Sequence, residues 1–383
     1  MNSIYVLPFF MFVLIFLASI ISIEFGLAAA IIEIVLGVIA GSFFHLQPPA
    51  WMTFLASFGS AYLIFLAGTE IDIPLMKKNW IEAVSIGSIA FFAPLIVCFL
   101  LAYYGFHWTF AASKIAGIAL STSSIAVVYS VLVETGLSVT ELGKKIMAAT
   151  FVTDILIVIT LTFSFFNFTI YTFFFIVISI MAIIFMPKIF SFLLKRYNGK
   201  IVQPDIKFLF LILFLIEWLG DAGKSQPGFP LFILGLAMSS LLAKHPEEMK
   251  RMRIVSFATI TPFFFIKSGM SVDVNAVWAG ISGVLIFLVL SIGSKIAALF
   301  PLAKKYHAKY GIFTTLLMSA GLTFGIIAAT YGLAIGAITK NQFSILITVV
   351  ILSAIIPTII ALRFFKPLTK DLKTIVETFG EEG

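Results

Sequence analysis

Two ionisable groups, Asp154 and Lys295, sit deep inside long apolar runs of this 383-residue chain. Asp154 follows Thr153 in Phe151-Val152-Thr153-Asp154-Ile155-Leu156, and Lys295 closes Ser291-Ile292-Gly293-Ser294-Lys295. A carboxyl group held away from water is neutralised either by a proton or by a metal cation, so the two compete for it; that competition is a means of exchanging one for the other. Hydroxyls are available nearby in kind: Thr153 itself, and four consecutive ones in Ser121-Thr122-Ser123-Ser124. Hard monovalent cations take oxygen ligands, so Asp154, Thr153, Thr122, Ser123 and Ser124 make a candidate cation- and proton-binding set, with Lys295 as counter-ion or second proton carrier.

These residues need an apolar scaffold, and the composition supplies one. The chain is 61% hydrophobic and 11% charged with a mean hydropathy of +1.13, whereas a soluble domain draws about a quarter of its residues from Asp, Glu, Lys and Arg. A water-soluble globule is excluded. Unsatisfied backbone groups in lipid restrict spanning segments of this length to helices of about 20 residues. Thirteen apolar runs meet the requirement, with approximate limits 4–23, 27–45, 51–70, 80–104, 113–133, 145–166, 168–194, 206–223, 228–243, 254–272, 279–300, 310–332 and 342–365. The first run has no basic region before it and no small-residue cleavage site after it, so it reads as a retained helix.

Charge asymmetry orients the spans. The excess of 25 basic over 18 acidic residues, +7, is concentrated on alternate connections: those after spans 3, 5, 7, 9 and 11 and the C-terminal tail hold twenty of the 25, the opposite ones only Lys114, Lys224 and Lys340. Basic residues collect on the cytoplasmic side. The N-terminus is therefore expected outside and the C-terminus in the cytoplasm of a prokaryotic inner membrane, and the net charge needs no nucleic-acid partner. The two remaining basic residues, Lys267 and Lys295, lie within spans.

Spans 4 to 6 and 11 to 13 begin on opposite faces, which makes them candidates for an inverted repeat. Each has an interruption in its middle member, Ser121-Thr122-Ser123-Ser124 in one and Gly321-Leu322-Thr323-Phe324-Gly325 in the other. Read singly, the hydroxyls bond back to their own helix and the two glycines form a helix-packing motif. Read as a pair, unwound backbone there offers carbonyls to a cation and half-helix ends offer partial charge. Asp154 lies about 15 Å of helix from the cytoplasmic end of its span, near the bilayer midplane, and Lys295 lies at a similar depth.

Other candidates have blander readings beside the functional one. Lys267 is close enough to its span's end to snorkel or to pair structurally. Glu33 and Glu217 are nearer an interface than Asp154 and suit packing roles; Glu70 and Asp72 end span 3 beside Lys77 and Lys78, where salt links are expected. Cys98 is the only cysteine and reads as a small core residue, while His45, His107, His245 and His307 fall in four separate interhelical segments without metal-ligand spacing. A Walker-type glycine loop and an Asp-rich diphosphate motif are both missing, so no cofactor and no enzymatic reaction are expected and transport is driven by gradients.

Taken in order, Gly68-Thr69-Glu70-Ile71-Asp72, Leu120 to Val128, Thr153-Asp154, Phe264 to Asp273 and Gly321-Leu322-Thr323-Phe324-Gly325 resemble the second monovalent cation:proton antiporter family, which includes NapA-type sodium antiporters and the membrane domains of Kef-type potassium transporters. The resemblance covers nearly the whole chain. It implies an all-α polytopic membrane protein of NhaA/NapA-like fold, with thirteen transmembrane helices, inverted repeats and two crossed, interrupted helices, working as a homodimer. It divides the chain into 1–79 and 206–278 for dimerisation, 80–166 and 279–366 for an ion-transporting core, 167–205 as a linking helix and 367–383 as a short cytoplasmic tail. It also implies that Asp154 is the ion-binding aspartate and that Lys295 is the lysine paired with it; Lys267, Glu70 and Glu33 remain secondary candidates from their positions in the sequence. Two departures stand out. Thr153 occupies the place of a second carboxylate found in Asp-Asp members, and Ala320-Gly321-Leu322 replaces the Arg-Gly-Glu of Kef-type members. The expectation is a secondary antiporter exchanging Na+ or K+ for H+ at Asp154, electroneutrally. The alternatives are a gated potassium efflux pathway without obligatory proton coupling, or a sodium-coupled organic-anion symporter of related fold.

Overall fold

A computed structural model describes residues 5–25, 28–71, 74, 80–138, 140–165, 169–197 and 202–365. Asp72, Lys77 and Lys78 and the tail at 367–383 lie outside the described residues. Every regular element among the described residues is helical: α1 Val6–Phe25, α2 Ala29–Ser42, α3 Ala50–Thr69, α4 Trp80–Leu100, α5 Phe110–Leu120, α6 Ile125–Glu134, α7 Glu141–Ser164, α8 Ile170–Tyr197, α9 Pro204–Ala222, α10 Gly228–Leu242, α11 Pro246–Val255, α12 Thr261–Met270, α13 Val274–Ala279, α14 Ile281–His307, α15 Gly311–Ser319, α16 Thr323–Ala334 and α17 Lys340–Phe364, with π-helical turns after α4 and α11 and a 3-10 turn after α14.

Seven helical stretches are long and apolar enough to cross a membrane, among them α1, α3, α7, α8 and α17. One of the seven, the 54-residue stretch Ile281–Ala334, is not a single helix: it contains α14, α15 and α16, with the chain turning at Ala308 and broken between Ser319 and Thr323. The seven are fewer than the thirteen apolar runs in the sequence because interruption or shortness takes several runs below spanning length as single helices. α5 has 11 residues, α15 has 9, α2 has 14 and α10 has 15.

The chain forms two compact units. The first comprises residues 1–15, 47–73 and 158–267. Here α3 and α10 meet at Gly68 and Gly235: a Cβ on Gly68 would fall 3.1 Å from the Cα of Gly235 and 2.9 Å from the amide nitrogen of Leu236. Backbones pack this closely in lipid because dispersion, rather than exclusion of water, holds such helices together. Phe58 stacks on Phe214 at 4.1 Å and meets Phe210 edge-on at 5.1 Å. Glu70, which closes α3, pairs with Arg253 of α11 at 3.0 Å; that partner replaces the expected Lys77 and Lys78, and it is reached only through the fold.

The second unit comprises residues 16–46, 74–157 and 268–383. It repeats one pattern twice: a long helix, an interrupted helix and a long helix, first as α4, α5 with α6, and α7, then as α14, α15 with α16, and α17. Glycines set the spacing again. A Cβ on Gly87 of α4 would lie 2.6 Å from the Ala149 carbonyl of α7, and one on Gly117 of α5 would lie 2.7 Å from the Leu95 carbonyl of α4. α2 also belongs to this unit, its Gly37 backbone lying against Gly269. An apolar cluster of Ile86, Val128, Leu132, Leu299, Phe313 and Leu317 draws together α4, α6, α14 and α15.

Gly235→Ala is expected to cost about 1–3 kcal/mol by overpacking α3 against α10, read as a lowered unfolding midpoint of the detergent-purified protein. Gly293→Ala, where a Cβ would meet nothing within 4 Å, is the control. Equal losses at both positions would sink the close-approach account.

Candidate ion-binding site

The two interruptions meet. α5 ends at Leu120 and α6 starts at Ile125; α15 ends at Ser319 and α16 starts at Thr323. Ser121 Oγ donates to the Ile118 carbonyl at 2.9 Å, a side-chain bond that competes with continuation of the helix. In the other break Ala320 is extended at φ −76°, ψ 97°. The breaks are stitched across by the Ser124 amide, which donates to the Ala320 carbonyl at 2.7 Å, and by Ser123 Oγ, which donates to the Met318 carbonyl. Gly321 rests directly on Thr122, where a Cβ would lie 2.7 Å from the Thr122 carbonyl oxygen, and a Cβ on Gly325 would lie 2.7 Å from that of Ala119. Side chains at these two glycines would push the breaks apart.

Lys295 of α14 is 1% exposed, and its Nζ donates to the carbonyls of Thr122 and, at 3.2 Å, Met318. These acceptors need a donor. Carbonyls at a helix C-terminus have no partner within the helix, and they carry the negative end of its dipole. Two such ends, those of α5 and α15, converge here among buried residues. The ammonium supplies both the hydrogen bonds and the opposite charge. Oxygens that hold an ammonium have the chemistry to hold a monovalent metal ion.

Asp154 is 2% exposed on α7. Thr150, one helical turn earlier and so on the same face, places its hydroxyl 3.3 Å from Met318 Sδ at the second break and donates to the Ile146 carbonyl at 2.9 Å. Thr153 Oγ1 donates to the Thr150 carbonyl at 2.6 Å. The structure thus divides the sequence-predicted hydroxyls by task. Ser121 and Thr153 bond back to their own helices, Ser123 ties the breaks together, and Thr122 contributes its carbonyl. Ser124 Oγ is buried with no hydrogen-bond partner among the described residues, so its lone pairs are available to a ligand.

The secondary candidates are dispersed. Glu33 is buried on α2 at 4% exposure, Lys267 is half-buried on α12, and Glu70 is committed to Arg253. Three features escape a reading of the sequence, two at the junction and one away from it. The Met318 carbonyl is signalled only by its place just before a helix end. Thr150 is signalled by the spacing Thr150-x-x-Thr153-Asp154. The third is a buried cluster at the end of α14: His307 Nε2 lies 2.6 Å from Glu82 Oε1, His307 Nδ1 lies 2.7 Å from Thr314 Oγ1, and Lys145 Nζ lies 3.0 Å from Glu82 Oε2. His307, read from sequence as an interhelical residue, closes a long helix instead, and its carboxylate partner comes from far along the chain.

Residues 11–366 match the family described as "Sodium/hydrogen exchanger, transmembrane". The chain belongs to that family. Among its curated relatives is "Probable Na(+)/H(+) antiporter 3" of Methanocaldococcus jannaschii, 24% identical over 95% of this chain and 97% of the relative. Another is the "Na(+)/H(+) antiporter" of Enterococcus hirae, 25% identical over 91% of this chain and 95% of that one. The fold is shared with the sodium proton antiporter MjNhaP1 from M. jannaschii, solved at pH 8, with a TM-score of 0.68 at 14% identity over 92% of this chain and 94% of that one. As a sodium/hydrogen exchanger family member with apolar helices of spanning length, this is an integral membrane protein of the antiporter class.

In this exchanger-family chain, Lys295→Met is expected to leave two buried carbonyls without a donor and to lower stability by on the order of 2 kcal/mol or more, seen as an earlier unfolding transition in detergent. An unchanged midpoint would show that the ammonium does not hold the breaks.

Proposed function

We propose that the protein is a secondary antiporter that exchanges Na+ or K+ for H+ at Asp154 by alternating access. One observation carries the reading. A buried carboxyl lies one helical turn from Thr150, whose hydroxyl reaches the junction of two interrupted helices, and that junction already binds a cationic group through backbone oxygens. Under this reading Asp154, Ser124 Oγ and carbonyls freed at the breaks form the cation shell, with Thr153, Thr122 and Ser123 supporting it. When the carboxyl takes a proton, the cation loses its main charge partner and leaves. Lys295 stabilises the ion-free carboxylate by exchanging its hold on the carbonyls for one on Asp154. The names of the relatives support sodium and proton as the exchanged pair.

The scaffold reading is part of the same proposal. The twice-repeated pattern of long, interrupted and long helix supports an inverted repeat of spans 4–6 and 11–13 within a thirteen-helix protein, its N-terminus outside and its C-terminus in the cytoplasm. Residues 80–166 and 279–366 then form the transporting core, and a homodimer holds the remainder. Thr153 in place of a second carboxylate supports one proton per cation.

Reconstitution into liposomes with an internal pH dye tests the exchange. Cation-driven proton movement is expected for Na+, K+ or Li+ supplied in turn, and Asp154→Asn is expected to reduce it to that of protein-free vesicles. Retained exchange in that variant would sink the proposal. Clamping the voltage with K+ and valinomycin is expected to leave the Na+-driven rate unchanged; a rate that follows the imposed voltage would overturn one-for-one stoichiometry.

A further inference from the structure

A cavity lies within the unit that carries Asp154, at the far end of α14 from Gly280. It has a volume of about 400 Å³ and is lined by Glu141, Leu142 and Lys145 from the start of α7 and by the segment from Tyr306 to Tyr310. Its volume falls in the range of small-molecule sites and is much larger than an inorganic ion requires. The walls are mainly apolar, formed by Leu142 and the two tyrosine rings; the charges are two lysines and one carboxylate, Glu141, which faces Lys144 at 3.8 Å. Lys309 Nζ stands over the Tyr310 ring at 5.1 Å, and Lys145 enters from α7. The Tyr310 hydroxyl is buried and has no hydrogen-bond partner among the described residues. A buried hydroxyl left unsatisfied is costly, so a ligand acceptor is the missing component.

Depth narrows the class of ligand. Along α14, His307 lies roughly 18 Å beyond Lys295 at 1.5 Å per residue, and half of a hydrocarbon core is about 15 Å. If Lys295 is near the midplane, the cavity opens at the level of lipid headgroups, where an anionic headgroup presents a phosphate next to apolar chain.

We infer that the cavity between the start of α7 and the end of α14 binds a phosphate anion carried on an apolar body, the headgroup region of an anionic lipid. The phosphate accepts from the Tyr310 hydroxyl and from the ammonium groups of Lys309 and Lys145, while Leu142 and the tyrosine rings cover the first part of the chain. Binding bears on the helices around the exchange site, because Lys145 is also the partner of Glu82 at 3.0 Å, and Glu82 joins α4 to His307. A phosphate that shares Lys145 therefore acts on the clamp between α4, α7 and α14.

The test uses the full chain purified in an uncharged detergent, with three probes: dioctanoyl phosphatidylglycerol, dioctanoyl phosphatidylcholine and inorganic phosphate. Retention is measured by native mass spectrometry and by the shift in unfolding midpoint. The wild type is expected to retain the glycerol lipid in preference to the choline lipid. Lys309→Gln and Tyr310→Phe are each expected to weaken that retention tenfold or more, the loss of one charge-assisted or buried hydrogen bond, while Lys114→Gln leaves it unchanged. Competition by inorganic phosphate at comparable concentration would assign the site to free phosphate as a source; no competition assigns it to lipid. Equal retention by wild type and both variants, equal retention of the two lipids, or binding of neither anion would overturn the inference. None of these readouts involves ion exchange, so they stand or fall separately from the role of Asp154.

Discussion

The ammonium of Lys295 seated on the carbonyls of Thr122 and Met318 is the contact on which the centre of the molecule depends. Each side of it is unfavourable alone. A charged lysine excluded from water loses hydration that apolar neighbours do not replace, and helix ends exposed to the same surroundings leave carbonyls unsatisfied and dipoles uncompensated. Together they satisfy one another. The sequence is free to interrupt two helices in the middle of an apolar protein only because a third helix delivers a donor of the right charge to the junction.

Everything around that contact restricts how the junction can change. The Ser124 amide and Ser123 hydroxyl tie one break to the other, and Gly321 and Gly325 bring the two backbones to a distance that no side chain would permit. Gly87 and Gly117 then fix α4 against α7 and α5. The oxygens available to an ion are thus presented by a framework with little freedom of its own. What can move is the ammonium, a single charge on four methylenes, and the carboxyl of Asp154 one turn from Thr150. A competition between groups is easier to switch than a rearrangement of backbone.

The helical, membrane-embedded character of the fold was legible because the bilayer imposes it: apolar runs of spanning length and interruptions of unusual composition each have a direct physical cause. Asp154 and Lys295 stand out in the sequence for the same reason, since a charge in an apolar run demands an explanation, and both are buried. What each charge touches was not legible. Lys295 reads as the counter-ion of a carboxylate, yet its hydrogen bonds go to main-chain oxygens, and a carbonyl has no letter in the sequence. Ser121 to Ser124 read as one patch, whereas the structure gives adjacent hydroxyls different work according to where the helix stops. Glu82 and His307 meet only through the packing of α4 beside α14, and Glu70 finds Arg253 rather than its neighbours in sequence. Contacts of that kind are set by tertiary geometry, which periodicity and composition do not encode.

Charge counting at the junction links the replacement of a carboxylate by Thr153 to the energetics of the proposed exchange. With Asp154 ionised and Lys295 protonated the pair sums to zero. Binding either a proton or a monovalent cation adds the same single positive charge, so both loaded forms present equal charge to the membrane field. A second carboxylate at Thr153 would break the symmetry, since one metal ion against two protons leaves the two loaded forms different. The threonine spends its hydroxyl on the Thr150 carbonyl and adds no charge. In the proposed exchange it would leave the two loaded forms with equal charge, and that equality, more than any particular ligand distance, is what would make exchange indifferent to voltage.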